Sequence, residues 1–99
     1  SENNGIIESV HLFGASIPAN SLSPKIHGNK FQKIVNKKIT NYYSPYDNVL
    51  KDAHDEKWVA SPIGYRGALG STCKKYHQKQ VRPDNHRFAS YAKTIKSFP

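Results

Sequence analysis

Residues 39–50 read ITNYYSPYDNVL, and they are the clearest indication of how this chain folds. Residues 39–43 are β-branched or aromatic apart from one asparagine, which is typical of a β-strand. Ser44 and Pro45 end the strand in a turn, and Ser44 is expected to cap a helix whose first position is Pro45. Apolar side chains then recur at helical spacing, at Val49, Leu50 and Ala53. This segment therefore predicts a strand that passes through a tight turn into a helix.

A second strand is predicted before this unit and a third after it. Residues 6–13 are almost continuously apolar, which suits a strand buried on both faces. Residues 74–81 alternate weakly between polar and apolar side chains and predict an edge strand, with a turn after it. Residues 19–30 and residues 58–73 carry the glycines and prolines of loops, and both segments are predicted to be loops.

Helical spacing returns near the end of the chain, where an amphipathic helix running to the C-terminus is predicted from Phe88, Tyr91, Ala92 and Ile95. Residues 31–35 form a short apolar cluster that predicts either a helical turn or the start of a strand. The alternation of strands and helices favours parallel βα units over hairpins. We therefore expect an α/β fold with a partial parallel sheet and flanking helices. It would form a single domain over residues 1–99 or the C-terminal part of a larger domain.

The composition restricts the class of protein. The 99 residues include 15 Lys and Arg against 7 Asp and Glu, for a net charge of +8. The single cysteine, Cys73, argues against a disulfide-stapled secreted module and against a zinc finger. No apolar run is long enough for a transmembrane helix and no signal peptide is visible, so a cytoplasmic location is expected. The histidines are scattered, and neither a metal site nor a cofactor is expected.

Two residues with useful chemistry follow predicted strands. Asp47 lies in the turn after residues 39–43, and His86 follows the strand at residues 74–81. Functional groups gather at the carboxyl ends of parallel strands, so we expect these two side chains at one edge of the sheet. A carboxylate that orients an imidazole is the acid–base part of a Ser–His–Asp triad. The simpler interpretations are a carboxylate that stabilises a helix start and a solvated histidine.

The chain contains the segments VHLFGASIP at residues 10–18, ITNYYSPYDNVL at residues 39–50 and NHRFASY at residues 85–91. Together they resemble the late sheet segments of α/β-hydrolases, and in particular uncharacterised serine-hydrolase-like proteins of that fold. The order is also that of the family, since Asp47 precedes His86. The resemblance implies that Asp47 is the triad acid, that His86 is the triad base, and that the reaction is hydrolysis of an ester, lipid or other acyl bond.

The nucleophile of such enzymes lies in a G-x-S-x-G elbow between a strand and a helix. Residues 14–18, GASIP, match only half of this pattern, and loop residues follow where a helix is needed. We interpret Ser16 as part of a turn that ends the strand. The chain is therefore expected to contribute Asp47 and His86 without the serine and to be inactive alone. A partner chain, or a region N-terminal to Ser1, would complete the sheet.

A second hypothesis is a small basic module that binds nucleic acid or another anionic surface. Positive charge is concentrated in the C-terminal third, where phosphate contacts are expected from Lys74, Lys75, Lys79, Arg82 and Arg87. No helix-turn-helix, RNA-recognition, KH or zinc-finger pattern is present, so non-specific contacts are favoured over specific recognition. A third hypothesis is a pure interaction module that docks on a partner through an exposed strand edge.

Overall fold

A parallel sheet of three strands organises the structure, a computed structural model that describes residues 6–55 and 61–95. The strands are β1 (Val10–Phe13), β2 (Ile39–Tyr43) and β3 (Tyr76–Gln80), and they lie side by side in chain order. The register places Ile39 opposite both Val10 and Tyr76. The predicted α/β fold, with a parallel sheet and flanking helices, is confirmed at this level.

Short helices connect and flank the strands. They are α1 (Asn29–Ile34), α2 (Asn48–Asp55), α3 (Ile63–Arg66) and α4 (Phe88–Ala92). A π-helical turn at Pro24–Gly28 leads directly into α1. No helix within residues 6–55 and 61–95 has the length and apolar character needed to cross a membrane.

The central strand β2 carries the core, because both of its faces are covered. Successive side chains of a strand point to opposite faces, so Ile39 and Tyr42 lie on opposite sides of the sheet. Ile39 packs in a cluster with Leu22, Val35, Ile63 and Cys73. Tyr42 packs on the other side with Val81 and Tyr91. The two faces together hold the carboxyl ends of the strands in fixed positions.

Gly64 of α3 ties two strand ends together. Its carbonyl oxygen accepts the Ser44 N–H at 2.8 Å, and its own N–H donates to the Ala15 carbonyl oxygen at 2.9 Å. A Cβ at this position would lie 2.3 Å from the Ala15 backbone nitrogen. The absence of a side chain therefore lets α3 connect the segment after β1 to the segment after β2.

The first strand is shorter than predicted. Within the predicted residues 6–13, the strand begins only at Val10. Ile7 makes a single parallel bridge to Val35, and Ile6 is almost fully exposed. The segment next to residues 8 and 9 bends at residues 36 and 37, so residues 8 and 9 have no regular partner strand.

Two loop predictions are partly wrong. The prediction for residues 19–30 missed the helical turn that begins at Pro24. Ser23 precedes this turn, and its hydroxyl oxygen accepts the Lys25 N–H at 3.4 Å. The helical interpretation of residues 31–35 is correct, because α1 continues to Ile34. The prediction for residues 58–73 missed α3, and residues 58–60 lie outside the described residues.

The edge strand at residues 74–81 is confirmed as β3, which is exposed except for its first residue. The C-terminal helix is shorter than predicted, since α4 ends at Ala92 and residues 96–99 lie outside the described residues. Phe88 begins α4 but remains mostly exposed, whereas Tyr91 is buried. Only part of the predicted apolar stripe therefore packs on the sheet.

Replacing Gly64 by alanine is expected to lower the free energy of unfolding by about 3 kcal/mol, because the new Cβ overlaps backbone that cannot move without breaking the bonds to Ser44 and Ala15. The control is Gly70→Ala, where φ is +77° but no atom lies within 4 Å of the new Cβ. This control should lose about 1 kcal/mol from backbone conformation alone. Urea denaturation of both variants makes the comparison. Equal losses would show that the close approach at Gly64 does not matter.

Candidate active site

The carboxyl ends of the three strands meet at one edge of the sheet. Gly14 directly follows β1, Asp47 follows β2, and His86 follows β3. The structure brings Asp47 and His86 into contact, with 2.5 Å between the carboxylate Oδ2 and the imidazole Nδ1. The Asp47 side chain is fully buried, whereas 32 % of the His86 side chain is exposed. The pair therefore joins a buried carboxyl group to an imidazole that solvent can reach.

Asp47 is held in place by the start of α2. Its Oδ1 accepts the Leu50 N–H at 3.1 Å, which is the hydrogen bond of an N-terminal helix cap. The predicted cap at Ser44 is wrong, because α2 begins at Asn48 and not at Pro45. The Ser44 hydroxyl oxygen instead accepts the Tyr46 N–H at 3.1 Å within the turn. One oxygen of Asp47 thus caps the helix, and the other faces the imidazole.

When Asp47 is ionised, the contact determines which nitrogen of His86 donates a hydrogen bond. An ionised carboxylate can only accept hydrogen bonds, so Nδ1 must be the donor to Asp47. The neutral imidazole then has its lone pair on Nε2. Within the described residues, Nε2 makes no hydrogen bond. His86 is therefore arranged to take a proton from a group that approaches Nε2.

Tyr91 is a member of the site that sequence analysis missed. Its phenol donates a hydrogen bond to Oδ2 of Asp47, the same oxygen that contacts His86. Burial, and after it the hydrogen bond to Asp47, raises the pKa of the Tyr91 phenol well above its usual range. Helical spacing identified Tyr91 only as a core residue. The available signal was chemical, since a buried tyrosine hydroxyl needs a partner.

Gly14 was also missed, and it makes the site compact. Its φ is +55°, in the left-handed region that favours glycine. A Cβ here would lie 2.9 Å from Cε1 of His86 and 3.0 Å from Cζ of Tyr91. The end of β1 therefore approaches both rings closely only because residue 14 has no side chain.

A small cleft of about 140 Å³ opens beside the pair. It is lined by residues of the two strand-end loops: Tyr46, Asp47, Asn48, Val49, Pro83, Asp84, Asn85 and His86. The guanidinium carbon of Arg82 lies 4.5 Å from the centre of the Tyr46 ring, so a cation is placed close to this cleft. The cleft therefore lies between the loop that carries Asp47 and the loop that carries His86.

Ser16 lies in an extended segment and not in an elbow. Residues on either side of Ser16 pair with α3 and with Pro62, the residue before α3. The Gly64 N–H donates to the carbonyl oxygen of Ala15, and Pro18 forms a bridge with Pro62. Turn structure continues from Ala19 to Ser23. The strand does end at Phe13 as predicted, but residues 14–18 pair with the segment at residues 62–64 and the turn begins only at Ala19, so the turn predicted at residues 14–18 is wrong.

The five basic residues of the second hypothesis have different environments. Lys75 is structural, because its Nζ donates to the carbonyl oxygens of Gln32 and Val35 at the end of α1, at 2.9 and 2.5 Å. The other four side chains, those of Lys74, Lys79, Arg82 and Arg87, are exposed. The described part of the chain contains no group of three or more His, Cys, Asp or Glu residues that could hold a metal ion.

No protein-family model, curated protein or solved structure matches this chain. The site must therefore be interpreted from its own geometry. That geometry is a buried carboxylate that contacts an imidazole and a phenol at the carboxyl ends of parallel strands.

Replacing Asp47 by alanine is expected to lower the free energy of unfolding by about 3 kcal/mol. The loss has two sources, the removal of the helix cap and the unpaired phenol left at Tyr91. The control is Asp84→Ala, an exposed carboxylate of the same cleft, which should change stability by less than about 0.5 kcal/mol. Urea denaturation measures both. If Asp47→Ala behaves like the control, the contacts of Asp47 do not stabilise the fold.

Proposed function

We propose that this chain supplies the acid and the base of a Ser–His–Asp triad for hydrolysis of ester or other acyl bonds. The observation that carries the proposal is the 2.5 Å contact between Asp47 Oδ2 and His86 Nδ1 at the strand ends. Asp47 orients the imidazole and stabilises the imidazolium that forms during the reaction. His86 Nε2 accepts the proton of a serine hydroxyl while the serine oxygen attacks the acyl carbon.

The later steps use the same two residues. His86 returns its proton to the leaving group as the tetrahedral intermediate collapses to an acyl-enzyme. A water molecule then attacks the acyl carbon while His86 accepts the water proton, and the serine recovers its proton when the acid product leaves. No step requires a metal or a redox cofactor. In this mechanism Asp47 does not itself take up a proton; it orients the imidazole and stabilises the imidazolium.

The order of the elements supports the same proposal. Three parallel strands in chain order, with the acid after β2 and the histidine after β3, are what the resemblance to the last strands of an α/β-hydrolase implies. Within the described residues, no serine hydroxyl hydrogen-bonds to His86. The sequence also contains no G-x-S-x-G elbow, and on that ground we propose that the nucleophile comes from outside these 99 residues. Either a partner chain or a region N-terminal to Ser1 would supply it and complete the sheet.

A fluorophosphonate probe tests the proposal in the protein produced from its complete gene, together with any partner purified with it. We expect the probe to label one serine outside the 99 residues. His86→Ala and Asp47→Asn should each slow labelling about 100-fold or more, because the serine loses its base or the base loses its orientation. Mass spectrometry identifies the labelled serine and gives the rate.

The matched controls are His77→Ala, an exposed histidine of β3, and Asp84→Asn, an exposed carboxylate of the cleft. Both should be labelled at the rate of the unaltered protein. The 99-residue chain alone should not be labelled, and it should hydrolyse p-nitrophenyl acetate no faster than its His86→Ala variant. Absence of labelling in the complete protein would contradict the proposal. Labelling that persists in His86→Ala, or that occurs at Ser16, would also contradict it.

Non-specific binding of nucleic acid is a second candidate function. It is favoured by Lys74, Lys79, Arg82 and Arg87, which are exposed and, within the described residues, have no carboxylate within 4.0 Å. Lys75 is not included, because its Nζ donates to carbonyl oxygens at the end of α1. Exposed cations of this kind would attract phosphates without reading a sequence.

Binding of single-stranded DNA at several salt concentrations tests this second function. The logarithm of the binding constant should fall by about 0.7 per phosphate contact for each tenfold increase in salt. The double variant Lys74→Ala/Lys79→Ala should bind more weakly and have a smaller salt dependence, whereas Asp47→Asn should bind like the unaltered chain. A binding constant that does not depend on salt, or that the double variant does not change, would exclude this function.

A further inference from the structure

One carboxylate oxygen in the site accepts two donors. Oδ2 of Asp47 accepts the phenol O–H of Tyr91 and the Nδ1–H of His86, while Oδ1 accepts the Leu50 N–H. These donors come from α4, from the loop after β3 and from α2. The orientation of the carboxylate, and therefore the direction that it gives the imidazole, depends on Tyr91 as much as on the helix cap.

Tyr91 and His86 belong to the same short segment of chain. Hydrogen bonds join the loop to the helix within it: Tyr91 N–H donates to Arg87 O at 3.1 Å, and the Ser90 hydroxyl donates to Asn85 Oδ1 at 2.8 Å. Contacts that fix Tyr91 against the sheet therefore also fix the position of the loop that carries His86. The rings of the two residues lie nearly perpendicular, with their centres 6.4 Å apart.

The two residues differ in how firmly they are held. Tyr91 is buried, with 1 % of its surface exposed, and packs with Tyr42 and Val81. His86 is partly exposed, and its hydrogen bond to Asp47 is the one that it makes within the described residues. A helix of five residues such as α4 has little stability of its own, so tertiary contacts must fix its position. The buried bond from Tyr91 to Asp47 is such a contact.

We propose that Tyr91 is the positioning residue of the Asp47–His86 pair: its phenol fixes Oδ2 of Asp47 and, through α4, the loop that presents His86. This inference rests on the function proposed above, which gives the pair its purpose. Tyr91 touches neither the substrate nor the reacting atoms. It acts through Asp47, and its raised pKa keeps the phenol protonated and therefore able to donate.

Proton NMR of the 99-residue chain tests the positioning without any catalytic activity. A protected Nδ1–H in a short hydrogen bond to a carboxylate gives a resonance far downfield of the amide protons. We expect this resonance in the unaltered chain and not in Asp47→Asn. In Tyr91→Phe, which keeps the ring and loses the hydroxyl, we expect it to broaden or disappear through faster exchange with water.

The matched control is Tyr76→Phe, which removes a phenol bonded to Asn41 and Gln78, away from Asp47. Its His86 resonance should be unchanged. A Tyr91→Phe resonance with the original position and width would overturn the inference. Loss of the resonance in Tyr76→Phe as well would also overturn it, since general loosening would then explain both results. An unaltered chain without the resonance would overturn both the inference and the role of the pair.

A second measurement separates this inference from the proposed function. In the complete protein, Tyr91→Phe should lower the maximal rate of fluorophosphonate labelling about 10-fold without changing the probe concentration that gives half the maximal rate. A change in that concentration alone would contradict a positioning role. If the unaltered complete protein is not labelled, the proposed hydrolase function fails, and the NMR result still decides whether Tyr91 positions the pair.

Discussion

The buried carboxylate of Asp47 is the constraint on which the rest of the site depends. Burying a charge costs several kcal/mol unless hydrogen-bond donors replace the lost water. Here the donors are Leu50 N–H, His86 Nδ1 and the Tyr91 phenol. They lie on three different segments, so the burial of one side chain requires α2, the loop after β3 and α4 to be in place together. A polar network of this kind is stable only when every member is satisfied.

Two glycines, Gly14 and Gly64, let backbone segments approach closely enough for this arrangement. Gly14 brings the end of β1 against the rings of His86 and Tyr91, and Gly64 joins the segments that follow β1 and β2. A Cβ at either position would come within 3.0 Å of its neighbours. The three strand ends are therefore closer together than side chains at these positions would allow. The sheet supplies the common edge, and the glycines supply the close contact.

Local signals and one general rule of parallel sheets explain what was predictable. The β-branched and aromatic residues 39–43 predicted β2 with its observed bounds, and the rule for strand ends predicted that Asp47 and His86 would meet. The bond from Tyr91 to Asp47 spans 44 positions, and no local pattern encodes it. The observed helix cap is Asp47 and not the predicted Ser44 for a similar reason. Tertiary contacts, and not local propensity, decide where α2 begins.

Asp47 makes more contacts than a helix cap does. A helix cap needs only one oxygen near the start of the helix. That oxygen can remain exposed to water, so capping does not require the carboxylate to be buried. Asp47 is instead buried, and its second oxygen faces an imidazole whose other nitrogen makes no hydrogen bond within the described residues. Two further donors on a fully buried acid exceed what capping α2 requires. These two donors replace water around the buried carboxylate, and the contact with His86 also holds the imidazole in one orientation, which is the orientation that the proposed proton transfer requires.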